Sequence, residues 1–280
     1  MIGGGLTLAQ ADAYLAVLGA RRRRPGREAL AELVAAQVTR VPFENVSKLL
    51  LRRRRGLRDV PDLDTYLDGI RRFNFGGTCY ASAFHFCSLL CALGYDAGLC
   101  GAAMPSGEDV HVVVTVALTG RDLLVDVGYG GPFLRPLPLD SRRAVEVGLG
   151  RDRFVLRPRD AEGRSWLDAY RDGARIHGYR INPTRREPAH FRAAVDASFR
   201  DDATFMNAVM LVRYIQGRGS TRSVGIYNLQ LVRATHRGCT VEALAGQQAL
   251  VAAIDREFGI PAEIARAALA GVSLERDLYS

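Results

Sequence analysis

The stretch Val110-His111-Val112-Val113-Val114-Thr115-Val116-Ala117-Leu118-Thr119-Gly120-Arg121-Asp122-Leu123-Leu124-Val125-Asp126-Val127 marks where the chain changes character. Its β-branched and aliphatic runs, Val110–Leu118 and Leu123–Val127, are too short for helices and are punctuated at Gly120, which predicts an antiparallel hairpin. With Thr119-Gly120 at the turn, Leu118 faces Arg121 and His111 faces Gly128. Asp126 then shares a sheet face with His111 as a diagonal neighbour, about 7–8 Å away at Cα level, close enough for the side chains to hydrogen-bond. A register slip of one residue would throw Asp126 onto the opposite face. An aspartate in so apolar a run is costly to bury unpaired. The alternative is a solvent-facing strand end.

Before the hairpin the periodicity is helical. Thr7 caps a helix running through Tyr14 and Leu18 to Gly19. Arg27–Val41 repeats apolar residues at Leu30, Leu33, Val34 and Val38 and stops before Pro42, because a residue preceding proline disfavours the helical region. Leu63–Arg72 is a short helix that Asp62 or Asp64 can cap. The turn Gly76-Gly77-Thr78-Cys79 opens an apolar helix through Phe84, Cys87, Ser88, Cys91 and Leu93, with Gly94 as its stop. Beyond the hairpin, weaker strand signals lie at Arg153–Pro158, Trp166–Arg171 and Gly178–Asn182. Thr204–Gln216 reads as a helix, Ser223–Arg233 as one or two strands, and Val241–Phe258 as a helix ending at Gly259. A helical front, a β middle and a mixed tail predict an α+β fold, divided at residues 1–94, 95–200 and 201–280.

Cys79, His111 and Asp126 occur in the chain order that thiolate catalysis uses: a nucleophile, a base to take its proton, and a carboxylate to hold the imidazole. A helix N-terminus favours a thiolate, and its free N–H groups can form an oxyanion hole. Gly76 and Gly77 permit a tight turn. The plainer reading of Cys79 is an ordinary buried thiol. His85, His177, His190 and His236 have no comparable setting and are read as structural or exposed.

A composition of 48% hydrophobic and 24% charged residues excludes a disordered chain. No run approaches the roughly 18 apolar residues of a membrane span, and the N-terminus lacks a secretory pattern, so a cytoplasmic protein without a membrane partner is expected. Five cysteines, odd in number and without a C-x-x-C pair, argue for reduced thiols rather than a disulfide framework. His85, Cys87 and Cys91 lie close together, but the two cysteines fall in an apolar helix and are read as packed thiols, so no metal is expected. The net charge of +8 is carried almost wholly by arginine, with runs at Arg21–Arg24 and Arg52–Arg55. These arginines can serve nucleic acid, a solvated surface, or attraction of an anionic cosubstrate such as coenzyme A or an acidic carrier protein. Neither run is interleaved with aromatics as a stacking platform would be, so no nucleic-acid partner is expected.

At this point the chain resembles the arylamine N-acetyltransferase family. The resemblance rests on Val41-Pro42-Phe43-Glu44-Asn45-Val46, Gly76-Gly77-Thr78-Cys79, His111 with its valines, Val125-Asp126-Val127-Gly128-Tyr129-Gly130, Phe133-Leu134-Arg135-Pro136-Leu137-Pro138-Leu139 and Phe258-Gly259-Ile260. It implies an N-terminal helical domain, a central antiparallel β-barrel and a C-terminal α/β lid around a cysteine-protease-like core. It also implies ping-pong transfer from acetyl- or another acyl-coenzyme A to a small-molecule amine, with no resident cofactor. Cys79 would be the acyl-bearing nucleophile, His111 the base and Asp126 its orienter. Phe43, Val110, Tyr129 and Phe133 would bind substrate. Phe75 stands where the family usually has an arginine, and Ala81 and Ala83 where it has glutamate and asparagine. Glu44 thereby loses its expected partner, with Arg71 or Arg72 as replacements. This altered turn admits a specialised member, an amide synthase that releases or cyclises a carrier-bound acyl chain. A cysteine hydrolase shares the same order of residues.

Overall fold

Local capping chemistry starts the chain. In the computed structural model, which describes residues 5–274, helix α1 (Leu8–Leu18) opens on a capping box between Thr7 and Gln10 and ends at Gly19 in the left-handed region. Helix α2 (Arg27–Arg40) stops before Pro42. A two-residue strand β1 (Phe43–Glu44) and helix α3 (Val46–Arg55) follow. Helix α4 (Leu63–Phe73) is capped by Asp62, which accepts from Thr65 N at 2.7 Å. Helix α5 (Cys79–Ala92) begins at the nucleophile candidate itself. The sequence reading assigned no helix to α3 and saw Arg52–Arg55 only as a charged run. Val46, Leu49 and Leu50 are its buried face, and they pack with the C-terminal helices rather than with α1 and α2.

Eight antiparallel strands form the middle: β2 (Asp96–Met104), β3 (Gly107–Leu118), β4 (Arg121–Val125), β5 (Leu137–Pro138), β6 (Val145–Leu149), β7 (Asp152–Leu156), β8 (Ser165–Arg171) and β9 (Ala174–Arg186). Their order is β5-β4-β3-β2-β9-β8-β7-β6. Cys100, Val113, Leu124, Leu137, Leu156, Leu167 and Ile181, drawn from seven of these strands, share one apolar cluster. Side chains from so many strands converge on one interior only when the sheet curls into a nearly closed barrel. The hairpin has the register read from the sequence, with Leu118 opposite Arg121 and Val114 opposite Val125. Thr119 and Gly120 both adopt positive φ, at 50° and 71°, as a two-residue turn of this hand requires.

After short helices α6 (Arg192–Ala197) and α7 (Thr204–Asn207) come strands β10 (Met210–Gly217), β11 (Ser220–Tyr227), β12 (Gln230–Thr235) and β13 (Gly238–Ala243), then helices α8 (Gly246–Phe258) and α9 (Ala262–Leu269). The second sheet runs β1-β10-β11-β12-β13. Two expectations are corrected. Thr204–Gln216 is not one helix, because Asn45 Nδ2 captures the carbonyls of Phe205 (2.9 Å) and Ala208 (2.6 Å), and its Oδ1 accepts from Met210 N (2.8 Å). The chain is thereby turned out of helix and into β10. Val241–Phe258 is likewise split: residues up to Ala243 pair with β12, and Gly246 at φ 83° starts the helix afresh. Among the described residues, no helix is long and apolar enough to cross a membrane.

Candidate active site

The turn before Cys79 is held against β1 by backbone. Glu44 N donates to Gly77 O at 3.2 Å, and Phe43 bridges to Gly77 in parallel. Glu44 is wholly buried, and its two carboxylate oxygens accept from Ser47 N (2.8 Å) and Gly76 N (2.9 Å). Arg71 and Arg72 do not replace the missing cation: Arg71 donates to Ala13 O, and Arg72 pairs with Asp68. Backbone amides satisfy Glu44 instead, and burial pushes its pKa upward against those bonds. Phe75 packs with Val46, Leu49 and Leu50 in one apolar cluster, and Ala81 and Ala83 are buried with Tyr66 in another. Gly76 has no room for a side chain, since a Cβ there would stand 1.8 Å from Pro42 O.

The hairpin delivers the other two groups. Asp126 lies one residue past the end of β4, and His111 Nε2 meets its Oδ2 at 3.0 Å. Asp126 also accepts from Gly128 N (Oδ1, 3.0 Å) and from Tyr179 Oη (Oδ2, 2.6 Å), so the carboxylate is fixed from three sides. With Nε2 committed to Asp126, the other imidazole nitrogen is left for the Cys79 sulfur, which lines the same cavity as His111. Burial opposes charge on His111, but Asp126 and the Cys79 sulfur outweigh it and raise the imidazole to about 10. The aromatic rings of Tyr179 and Tyr129, at 4.7 and 5.2 Å between centroids, enclose it. Gly128 is sterically required here: a Cβ would stand 2.7 Å from Cys79 Cα.

A cavity of about 1030 Å³ opens onto Cys79 and His111. Phe43, Val110 and Tyr129 lie on its wall. Phe133 does not: it is 1% exposed and packs inside the barrel behind Tyr129. Sequence reasoning missed Tyr179, which sits in a weak strand signal with no local feature to mark it. His177 and His190, read as structural or exposed, both reach the cavity. His177 is hydrogen-bonded to Tyr129 Oη, and burial together with Arg171 and Arg175 lowers it to about 4, against the pull of Asp152. His190 pairs with Asp109 at 2.8 Å. His85 is structural, stacked on Tyr66 and bonded to Pro61 O at 2.9 Å. Of the two thiols read as packed in the apolar helix, Cys87 is buried and Cys91 is exposed. Among the described residues, no group of three or more His, Cys, Asp or Glu side chains is placed to hold a metal ion.

A thiol sharing a cavity with an imidazole that is hydrogen-bonded to a buried carboxylate, set between helices and a β-barrel, is the arrangement this α+β fold presents. Residues 28–267 match the N-acetyltransferase family, and the chain belongs to it. It is 30% identical over 128 residues (43% of this chain, 48% of the relative) to the proansamycin X synthase of Amycolatopsis mediterranei strain S699. It is 27% identical over 174 residues (57% and 56%) to rabbit (Oryctolagus cuniculus) arylamine N-acetyltransferase 1. The chain thus spans about half the length of the curated relatives it matches. The crystal structure of the Nocardia farcinica arylamine N-acetyltransferase is similar over 95% of both chains, with a TM-score of 0.77 and 26% identity.

Proposed function

We propose that the chain is an N-acyltransferase that moves an acyl group from an acyl thioester, acyl-coenzyme A, through Cys79 to an amine. The observation that carries this reading is Cys79 and His111 on one cavity, with the buried Asp126 hydrogen-bonded to His111 behind it. His111 takes the thiol proton, and the sulfur attacks the thioester carbonyl. The first-turn amides of α5, which no carbonyl within the helix can satisfy, are placed to receive the developing oxyanion. The donor thiol leaves with the proton from His111, and Cys79 holds the acyl group. The amine then attacks, its proton passes to His111, and the amide departs as the thiolate re-forms. Asp126 keeps one imidazole face toward sulfur throughout. Phe43, Val110 and Tyr129 supply the apolar wall for the substrates.

Initial rates measured against donor and amine test the order of events. Parallel double-reciprocal lines are expected; intersecting lines, which require both substrates bound together, would refute the covalent route. One observation favours a second reading. The similarity to a proansamycin X synthase and the size of the cavity suit amide formation on a long, carrier-bound acyl chain. Turnover with long acyl thioesters but not with acetyl-coenzyme A would select that reading.

A further inference from the structure

Of the 38 lysine and arginine residues, Lys48 is the only lysine. Among the described residues it is the one basic side chain on the cavity that Gly76, Gly77 and Thr78 line, and it is 8% exposed, on α3. Its Nζ donates to Ser198 Oγ at 2.8 Å and lies 4.1 Å from the centroid of the Phe199 ring. A cavity of about 40 Å³ is walled by Lys48, by Gly76, Gly77 and Thr78, and by Tyr80 on the far side of Cys79. The lysine and the peptide groups flanking the sulfur therefore share one small, largely apolar space.

We propose that Lys48 is a positioning residue for the nucleophile, its ammonium favouring the anionic form of Cys79 from behind the glycine turn. The inference rests on the assignment of Cys79 as the acyl-bearing thiol. Burial lowers Lys48 to about 8, and the charge on Cys79 acts in the opposite direction. The remaining ionisable groups on this cavity are Tyr66 and Tyr80, both driven upward by burial and so uncharged at neutral pH, and the exposed Asp59. His111 lines the other cavity, together with Cys79.

A purely structural role, tying α3 to Ser198 and Phe199, predicts a different result, and two measurements separate them. The first follows alkylation of Cys79 by iodoacetamide against pH, read by peptide mapping, in wild type, Lys48→Met and Lys48→Arg. The expected outcome is that Met moves the onset of reactivity upward by about one pH unit, a roughly tenfold slower reaction on the acid side, and that Arg restores it. A folded Met variant with the wild-type profile, or equal losses in Met and Arg, would overturn the proposal. The second needs no change at Lys48. Lysine labelled with carbon-13 gives one side-chain signal, and Cys79→Ser should lower its titration midpoint. An unmoved midpoint would also overturn the proposal. Failure of Cys79 to be alkylated ahead of the other cysteines in wild type would instead defeat the assignment of the nucleophile.

Discussion

Tyr179→Phe is the perturbation whose consequences the structure specifies most closely. The phenol donates at 2.6 Å to Asp126 Oδ2, the same oxygen that holds His111, and both partners are buried. A hydrogen bond to a charged group contributes about 1.5–3 kcal/mol. Phenylalanine keeps the ring packed on His111 and Tyr129 and removes only the donor. A loss of about 2 kcal/mol would lower the unfolding temperature by about 3–4 °C for a chain of 280 residues. Without the phenol, Asp126 keeps Gly128 N and His111 but is free to swing, so the imidazole loses part of its alignment to sulfur. About a tenfold fall in the acylation rate is expected, equivalent to about 1.4 kcal/mol. That is far short of the roughly 10⁴-fold loss for Asp126→Asn, which would favour the wrong tautomer. Calorimetry and rapid-quench acylation measure the two effects separately. A Phe variant as stable and as fast as wild type would refute the assignment of Tyr179 as the residue that fixes Asp126.

Gly128→Ala, with its Cβ forced to 2.7 Å from Cys79 Cα, should displace the nucleophile and cut acylation by about a hundredfold or more, with circular dichroism confirming a folded protein. Glu44→Gln sets an NH₂ against the amide of Ser47 or Gly76 and should destabilise by about 1–3 kcal/mol in denaturant melts. Because burial raises Glu44, its contribution is full at acid pH below the ordinary carboxyl value and is lost as pH rises through the raised one; the Gln variant should lack that slope. His111, raised to about 10 from an ordinary 6.5, contributes stability that is full below about 6.5 and fades as pH climbs to about 10. Nitrogen-15 spectra should therefore show an imidazolium at pH near neutrality, and Cys79→Ala should bring its titration down.

The hairpin was legible because period-two alternation and a glycine turn fix register locally, and register alone carries Asp126 to His111. The turn before Cys79 was legible from its glycine pair, but what forbids a side chain at Gly76 is Pro42 O, far earlier in the chain. What escaped the reading depends on partners far along the chain. Tyr179 reaches Asp126 across 53 positions, and nothing near it in sequence differs from an ordinary strand tyrosine. Asn45 unwinds the segment after Asn207 from 160 positions away, overriding a plausible helical pattern in Thr204–Gln216. Phe133 carries the right residue type for a pocket wall, yet barrel closure turns it inward against Phe154, at 5.2 Å between rings. Helix α3 hid its amphipathic face behind an arginine run that dominates its composition.

The central claim is that Cys79 carries the acyl group, and intact-mass analysis of the protein mixed with acyl-coenzyme A alone, before any amine is added, tests it most directly. The account predicts one acyl group per chain, mapped to Cys79, discharged on adding an amine and absent from Cys79→Ala. An adduct that persists in Cys79→Ala, or turnover of donor and amine by that variant, would contradict it.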